Sequence, residues 1–154
     1  MSFQSTFESL NLELPPAPKA IGLYKPVVIV GDLAYTSGHG PLQSDKTLIT
    51  GRVGDVLSVE QGFAAARQTG LATLATLIDN LGSLDRVIRL VKTFGLVRAT
   101  PDFTDHPAVI NGFSELMRDV FGDDCGIAAR SAVGAASLPA GMSVEVEAVF
   151  QIKN

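Results

Sequence analysis

The segment from Met142 to Ile152 alternates between two kinds of side chain, and this pattern limits the fold most strongly. One set is apolar at every position, while the set between them includes two glutamates, a serine and a glutamine: Met142, Val144, Val146, Ala148, Phe150 and Ile152 against Ser143, Glu145, Glu147, Val149 and Gln151. A period of two residues is typical of a β-strand with one buried face. We therefore predict a strand that packs its apolar face on helices and turns its carboxylates to the opposite side.

Two helices can form the layer against which this strand packs. Ser58 and Gln61 have the spacing of a capping box, apolar residues follow at steps of three and four, and Gly82 stands where a left-handed cap belongs. These signals predict a helix over about 58–81. A second apolar stripe predicts another helix over about 106–121.

The rest of the chain has mainly the character of strands and turns. Gly31-Asp32 between two β-branched or aromatic runs predicts a hairpin, and the first sixteen residues, polar and rich in proline, predict an extended lead-in. The strand candidates are 27–30, 33–37, 50–54, 86–98 and 130–136. We expect one α+β domain over residues 1–154, with a single mixed sheet and both helices on one face. The opposite face of the sheet must then be covered by other protein or be exposed to water.

Composition and charge limit the classes of function. Charged residues make up 18% of the chain, below the ~25% of an average domain, which indicates that another subunit covers part of the surface. The net charge of -4, the pI of about 5.0 and the absence of a Lys/Arg run argue against a nucleic-acid partner. A single cysteine, no secretory signal and no long apolar run predict a cytoplasmic protein with no membrane partner.

Metal and thiol chemistry have little support in the sequence. His39, His106 and Cys125 are too few and too scattered to form a ligand set, so we predict no metal and no other cofactor. Ser37 and Ser131 lack the G-x-S-x-G context of an activated serine, and no base stands near Cys125 in the sequence.

Arg130 stands out because it opens a strand among small apolar residues with no acidic neighbour in the sequence. One interpretation is a surface arginine whose aliphatic stem covers apolar area. The other is a clamp for a carboxylate, since the planar guanidinium can donate two parallel hydrogen bonds. The pattern alone leaves both open.

An ordered set of short segments links Arg130 to a known family. The segments are Ala20–Tyr24, Gly31–Gly38, Val91–Thr93, Val109–Asn111, Ala129–Val133, Leu138-Pro139 and Val144–Ala148. Together they resemble the reactive intermediate deaminase family, called RidA or YjgF and in older usage endoribonuclease L-PSP. The resemblance covers about residues 17 to 152.

The resemblance implies a fold, an assembly and an activity. The fold would be chorismate-mutase-like, with a six-stranded mixed sheet backed by two helices. The assembly would be a homotrimer with a barrel core and three clefts between subunits. Members with the arginine hydrolyse reactive 2-imino acids, formed from enamines such as 2-aminoacrylate, to 2-keto acids and ammonia.

The resemblance also implies roles for individual residues. Arg130 would hold the substrate carboxylate and Glu147 would orient or polarise the attacking water, although Glu147 could equally be a solvated strand carboxylate. The cleft would be lined by Tyr24, Ser37, Gly38 and Asn111, with Gly38 acting through its backbone N–H.

Some positions depart from the family pattern, and two other functions stay open. Lys25 places a cation beside Tyr24, His39 stands where glutamine is usual, and Ala132 replaces a frequent cysteine. These changes bear on substrate preference. The alternatives are a non-catalytic trimer that binds a small carboxylate at Arg130, and an endoribonuclease or translation inhibitor, against which the acidic pI counts.

Overall fold

The computed structural model describes residues 1–154 as five strands and three α-helices. In chain order the elements are α1 (Phe3–Ser9), β1 (Val27–Val30), β2 (Leu33–Thr36), α2 (Val59–Leu81), β3 (Val87–Arg98), α3 (His106–Gly126), β4 (Ala129–Ala135) and β5 (Val144–Ile152). Two short 3₁₀ turns lie at Leu84–Arg86 and Pro139–Gly141.

The five strands form one mixed sheet in the order β1-β2-β5-β3-β4. Every neighbouring pair is antiparallel except β3 and β4, which are parallel. The predicted α+β class, the mixed sheet and the hairpin of β1 and β2 are therefore confirmed. The predicted count of six strands is wrong, since the sheet has five.

The missing strand is the candidate at 50–54. This segment makes only isolated bridges, such as Thr50 with Met142 and Val53 with Ala99. Gly51 and Gly54 have φ values of +120° and +106°, which an extended run of L-residues does not adopt. The backbone therefore turns before a second ladder bond can form.

The N-terminus also differs from the prediction. Residues 3–9 form α1 rather than an extended lead-in, with Ser2 as the N-cap accepting a hydrogen bond from the Ser5 N–H. A helix this short is not stable alone, so its stability comes from docking. Phe7 is buried, and the ring of Phe3 meets Phe121 edge to face at 5.1 Å.

The two long helices pack together on one face of the sheet. The capping box of α2 is present, with Ser58 and Gln61 bonded to each other's backbone, and Gly82 ends the helix at φ +81°. Gly112 on α3 lets the helices touch, because a Cβ there would lie 2.0 Å from the Phe63 carbonyl oxygen. The helical prediction over about 106–121 is confirmed: a kink at Gly122, with φ +79° and ψ 171°, interrupts α3 just after the predicted end, and one further turn reaches Gly126.

The alternation of β5 is confirmed. Its even-numbered residues 144–152 are at most 3% exposed and face the helices, whereas Glu145 and Glu147 project from the opposite face. No helix covers that opposite face, and Tyr35 and Val133 are 44% and 40% exposed in the single chain. None of the helices is long and apolar enough to span a membrane.

Candidate functional site

A cleft of about 790 Å³ lies where the loop after β2 meets β5 and the N-terminal segment. Its walls include 16–21, 37–40, Tyr24, Met142 and Glu145. Three of the predicted site residues, Tyr24, Ser37 and Gly38, thus lie together.

Hydrogen bonds hold the loop 37–40 against the sheet. His39 exchanges two backbone hydrogen bonds with Val146, at 2.8 and 2.9 Å, which places Gly38 beside Glu145. The Ser37 hydroxyl donates to the Lys25 carbonyl at 2.5 Å. The N–H of Gly38 donates to no group of the chain and can serve a ligand.

The buried imidazole of His39 also holds the loop 37–40 in place, on the side that faces α2. His39 is 3% exposed, with Nδ1 2.7 Å from the Ser37 carbonyl oxygen and Nε2 2.7 Å from the Thr76 hydroxyl on α2. Because a carbonyl can only accept, Nδ1 carries the proton and the neutral ring accepts from Thr76 at Nε2. Burial lowers the pKa of His39, which keeps the ring neutral, and the Ser37 carbonyl offsets this only in part.

Glu145 is the acidic residue of the cleft lining, and it is not among the site residues expected from the sequence. Its carboxylate packs on Gly38 so closely that a Cβ at Gly38 would lie 2.5 Å from Oε1. Burial, and secondarily the charge of Glu147, raise the pKa of Glu145 above its ordinary value. A glutamate in this state can exchange protons closer to neutral pH than an exposed one.

Glu147, the carboxylate assigned from the sequence, lies elsewhere. It is exposed and lines a smaller depression with Tyr35, Lys92 and Phe94, apart from Ser37 and Gly38. Both glutamates share a strand face, so alternation could not separate them. The distinguishing fact is the pairing of His39 with Val146, which no local pattern in the sequence reveals.

Arg130 is bound by neutral acceptors only. Nη1 donates to the Asn111 side-chain oxygen at 2.9 Å and to the Ser114 hydroxyl at 3.1 Å, and Nη2 lies 3.5 Å from the Pro107 carbonyl oxygen. No carboxylate forms an ion pair with it. Partial burial lowers the pKa of Arg130, and the guanidinium is oriented without being neutralised. Such a group can bind a carboxylate from outside the chain.

Within one chain, Arg130 and the cleft do not meet. Arg130 pairs with Thr93, Thr93 with Ala148, and Ala148 bonds Thr36 at the end of β2, so that β3 and β5 lie between Arg130 and the strand that leads into the cleft loop. Three strand spacings amount to roughly 14 Å. The guanidinium also bonds α3 on the helical face, whereas Glu145 projects from the other face.

The predicted site residues therefore fall into separate groups. Tyr24, Ser37 and Gly38 share the cleft with Glu145, Asn111 lies with Arg130, and Glu147 belongs to neither group. No cluster of histidine, cysteine or acidic side chains with the arrangement of a metal site is found.

Comparison with known proteins gives one consistent family. The model of the family described as "YjgF/chorismate mutase-like, putative endoribonuclease" matches residues 4–145. Protein TCP17 of Trypanosoma cruzi is 38% identical over 97% of this chain and 94% of its own length. A 2-iminobutanoate/2-iminopropanoate deaminase of Dermatophagoides farinae is 29% identical over 92% of this chain and 95% of its own.

Solved structures agree with the sequence comparison. The protein Atu1372 of Agrobacterium tumefaciens, whose function is unknown, superposes with a TM-score of 0.88 at 36% identity. The match covers 98% of this chain and 94% of that one, so the similarity includes α1 as well as the sheet and the long helices.

Proposed function

This chain belongs to the YjgF/RidA family, and we propose that it hydrolyses 2-imino acids to 2-oxo acids and ammonia. The main observation in support of the proposal is the hydrogen bonding of Arg130 together with the partial burial of Glu145. Arg130 is oriented by neutral acceptors and keeps its positive charge, and Glu145 is a half-buried carboxylate beside the free N–H of Gly38. The deaminase of Dermatophagoides farinae, at 29% identity, supports the same reaction.

The proposal includes a homotrimer, because one chain keeps the two groups apart. Three strand spacings, roughly 14 Å, separate Arg130 from β2 and its loop, and Glu145 lies two strands from Arg130 on the opposite face of the sheet, so a single small substrate cannot touch both groups. In a closed ring of three subunits, Arg130 and Asn111 of one subunit would face Tyr24, Gly38 and Glu145 of the next. The uncovered face of the sheet supports such an assembly.

In this arrangement each group has one task. Arg130 binds the substrate carboxylate through its planar fork, and the Gly38 N–H helps to orient it. Glu145 takes a proton from water as the oxygen bonds to the imine carbon, and the imine nitrogen gains a proton. The carbon–nitrogen bond of the resulting amino alcohol then breaks, leaving a 2-oxo acid and ammonia.

An imine carbon is already electrophilic, so the site needs orientation and one base rather than a nucleophile of its own. A raised pKa suits Glu145 for this role, because the carboxylate that accepts a proton from water must also release it to the nitrogen. We assign the role to Glu145 rather than Glu147 because Glu145 lies in the cleft.

A trimer that only binds a small carboxylate is the second candidate, and the same Arg130 supports it. The test generates 2-iminopropanoate or 2-iminobutanoate in the assay with an amino-acid oxidase and follows its decay by trapping with semicarbazide. We expect the protein at micromolar concentration to accelerate the decay well above the spontaneous rate. A spontaneous rate together with saturable binding of 2-oxobutanoate would replace the hydrolase by the binding protein.

A further inference from the structure

The cleft is large for the smallest substrates of the proposed reaction. Its volume of about 790 Å³ lies in the upper part of the range for small-molecule sites. The reacting end of a substrate would lie at Gly38 and Glu145. Most of the remaining volume would then be available to the substrate's side chain.

Two cations line this volume in a protein that is acidic as a whole. The net charge is -4, yet two of the five lysines, Lys19 and Lys46, belong to the cleft wall, where Glu145 is the acidic residue. Neither lysine forms an ion pair, since the salt bridges of the chain involve arginines only. A cavity with low-dielectric walls and cations of this kind concentrates anions.

The carboxylate that adjoins Lys46 in the sequence, that of Asp45, is hydrogen-bonded within the turn that carries the lysine. Asp45 accepts hydrogen bonds from the Thr47 N–H at 2.9 Å and from the Thr47 hydroxyl at 2.6 Å, and these bonds lower the pKa of Asp45. The turn is closed by a Gln43 N–H to Thr47 carbonyl bond of 2.8 Å, with Lys46 at φ +69°. The backbone of Lys46 thus has a fixed position on the wall, and Asp45 binds the turn instead of the Lys46 ammonium group.

Lys19 has an equally restricted backbone. It follows Pro16 and Pro18, whose rings fix φ and favour an extended chain. Leu12 and Leu14, just before the prolines, pack against the hydrophobic core and anchor this wall. The backbone at both lysines is therefore restrained at the cleft wall, while their exposed side chains can turn toward a ligand.

We infer that Lys19 and Lys46 select 2-imino acids whose side chain bears a second carboxylate. The inference rests on the proposed function and extends it to a substrate class. Arg130 of one subunit would bind the carboxylate next to the imine, and the two lysines of the next subunit would bind the distal one. A lysine ammonium suits this second task, since it is a mobile point charge that accepts side chains of more than one length.

The experiment compares two imines of equal chain length, one made from glutamate and one from norvaline by amino-acid oxidases. For the wild type we expect kcat/KM to favour the glutamate-derived imine by at least about tenfold. Each charge-assisted contact contributes about this factor or more. In the double variant Lys19→Gln/Lys46→Gln this preference should fall about tenfold. The double variant with arginine at both positions should restore most of it.

Lys153→Gln is the control for the loss of a lysine charge outside the cleft lining; it removes one of these charges, where the double variant removes two, and should leave the preference unchanged. Calorimetric binding of 2-oxoglutarate against 2-oxopentanoate gives a second readout that needs no turnover. Equal preference for the two imines in the wild type, or a preference that the lysine substitutions leave unaltered, would overturn the inference while leaving the hydrolase intact. If neither imine is hydrolysed, the proposed function fails, and the oxo-acid binding ratio alone decides whether the lysines select dianions.

Discussion

Replacing Glu145 by glutamine should make the protein slightly more stable and far less active. The two glutamates of β5 project from one face two residues apart, about 6.7 Å along the strand. Two unit charges at that distance repel by about 0.6 kcal/mol in water and about 2.5 kcal/mol at the effective dielectric of ~20 near a protein surface. Glu147 is exposed, so we take the low end of this range.

The expected gain is thus about 0.5 to 1 kcal/mol, or a rise in Tm of about 1–4 °C for a chain of this size. The gain depends on pH. Since the folded state raises the pKa of Glu145, this group's contribution to stability is full below its unfolded pKa and is lost as pH rises through the folded value. Glu145→Gln should therefore stabilise more at pH 7 than at pH 4.

Measurements of activity distinguish the role of Glu145 from that of Glu147. Loss of a general base should lower kcat for imine hydrolysis about 100-fold in Glu145→Gln. Glu147→Gln relieves the same repulsion but leaves the Glu145 carboxylate buried, so it should gain less stability than Glu145→Gln, and it should keep activity within a few-fold. The decisive data are kcat and thermal unfolding of both variants at pH 4 and pH 7. An active Glu145→Gln with an inactive Glu147→Gln would refute the assignment.

Three further substitutions test the site. Arg130→Lys keeps the positive charge and the aliphatic stem but loses the planar guanidinium, so kcat/KM should fall about 10- to 100-fold while Tm stays near the wild-type value. Wild-type rates would mean that Arg130 only packs its stem on the protein surface. His39→Leu removes the partner of the Ser37 carbonyl and should cost about 1–3 kcal/mol in urea unfolding at fixed protein concentration, whereas an unchanged midpoint would mean that the loop does not depend on the imidazole. Cys125→Ser should stay within a few-fold of wild-type activity, and abolished turnover in a folded protein would reveal a thiol mechanism.

The sequence was most informative where the deciding contacts are local. Ser58, Gln61 and Gly82 mark both ends of α2, because capping depends on residues within one turn. The alternation from Met142 likewise identified β5 and its buried face, since the burial of one face alone produces that period.

The features that the sequence did not indicate depend on contacts between residues far apart in the sequence. Phe3 and Phe7 form a helix because Phe121 and the core lie beside them, although the segment itself is polar. Glu145 and Glu147 look equivalent along the strand, and only the bridge between His39 and Val146 brings one of them to Gly38. The lysines of the cleft wall lie far apart in sequence and share no motif.

The central claim is that each site combines Arg130 of one subunit with Glu145 of the next, and mixed assemblies test it directly. Alone, Arg130→Lys should keep about 1–10% of the wild-type kcat/KM, and Glu145→Gln should keep about 1% of kcat. Refolded together in equal amounts, random trimers would contain one intact site in each mixed ring, which restores about a quarter of the wild-type rate. Recovery to about that level, with the trimer verified by ultracentrifugation, is the predicted result. Mixed trimers no more active than the separate variants would contradict a site shared between subunits.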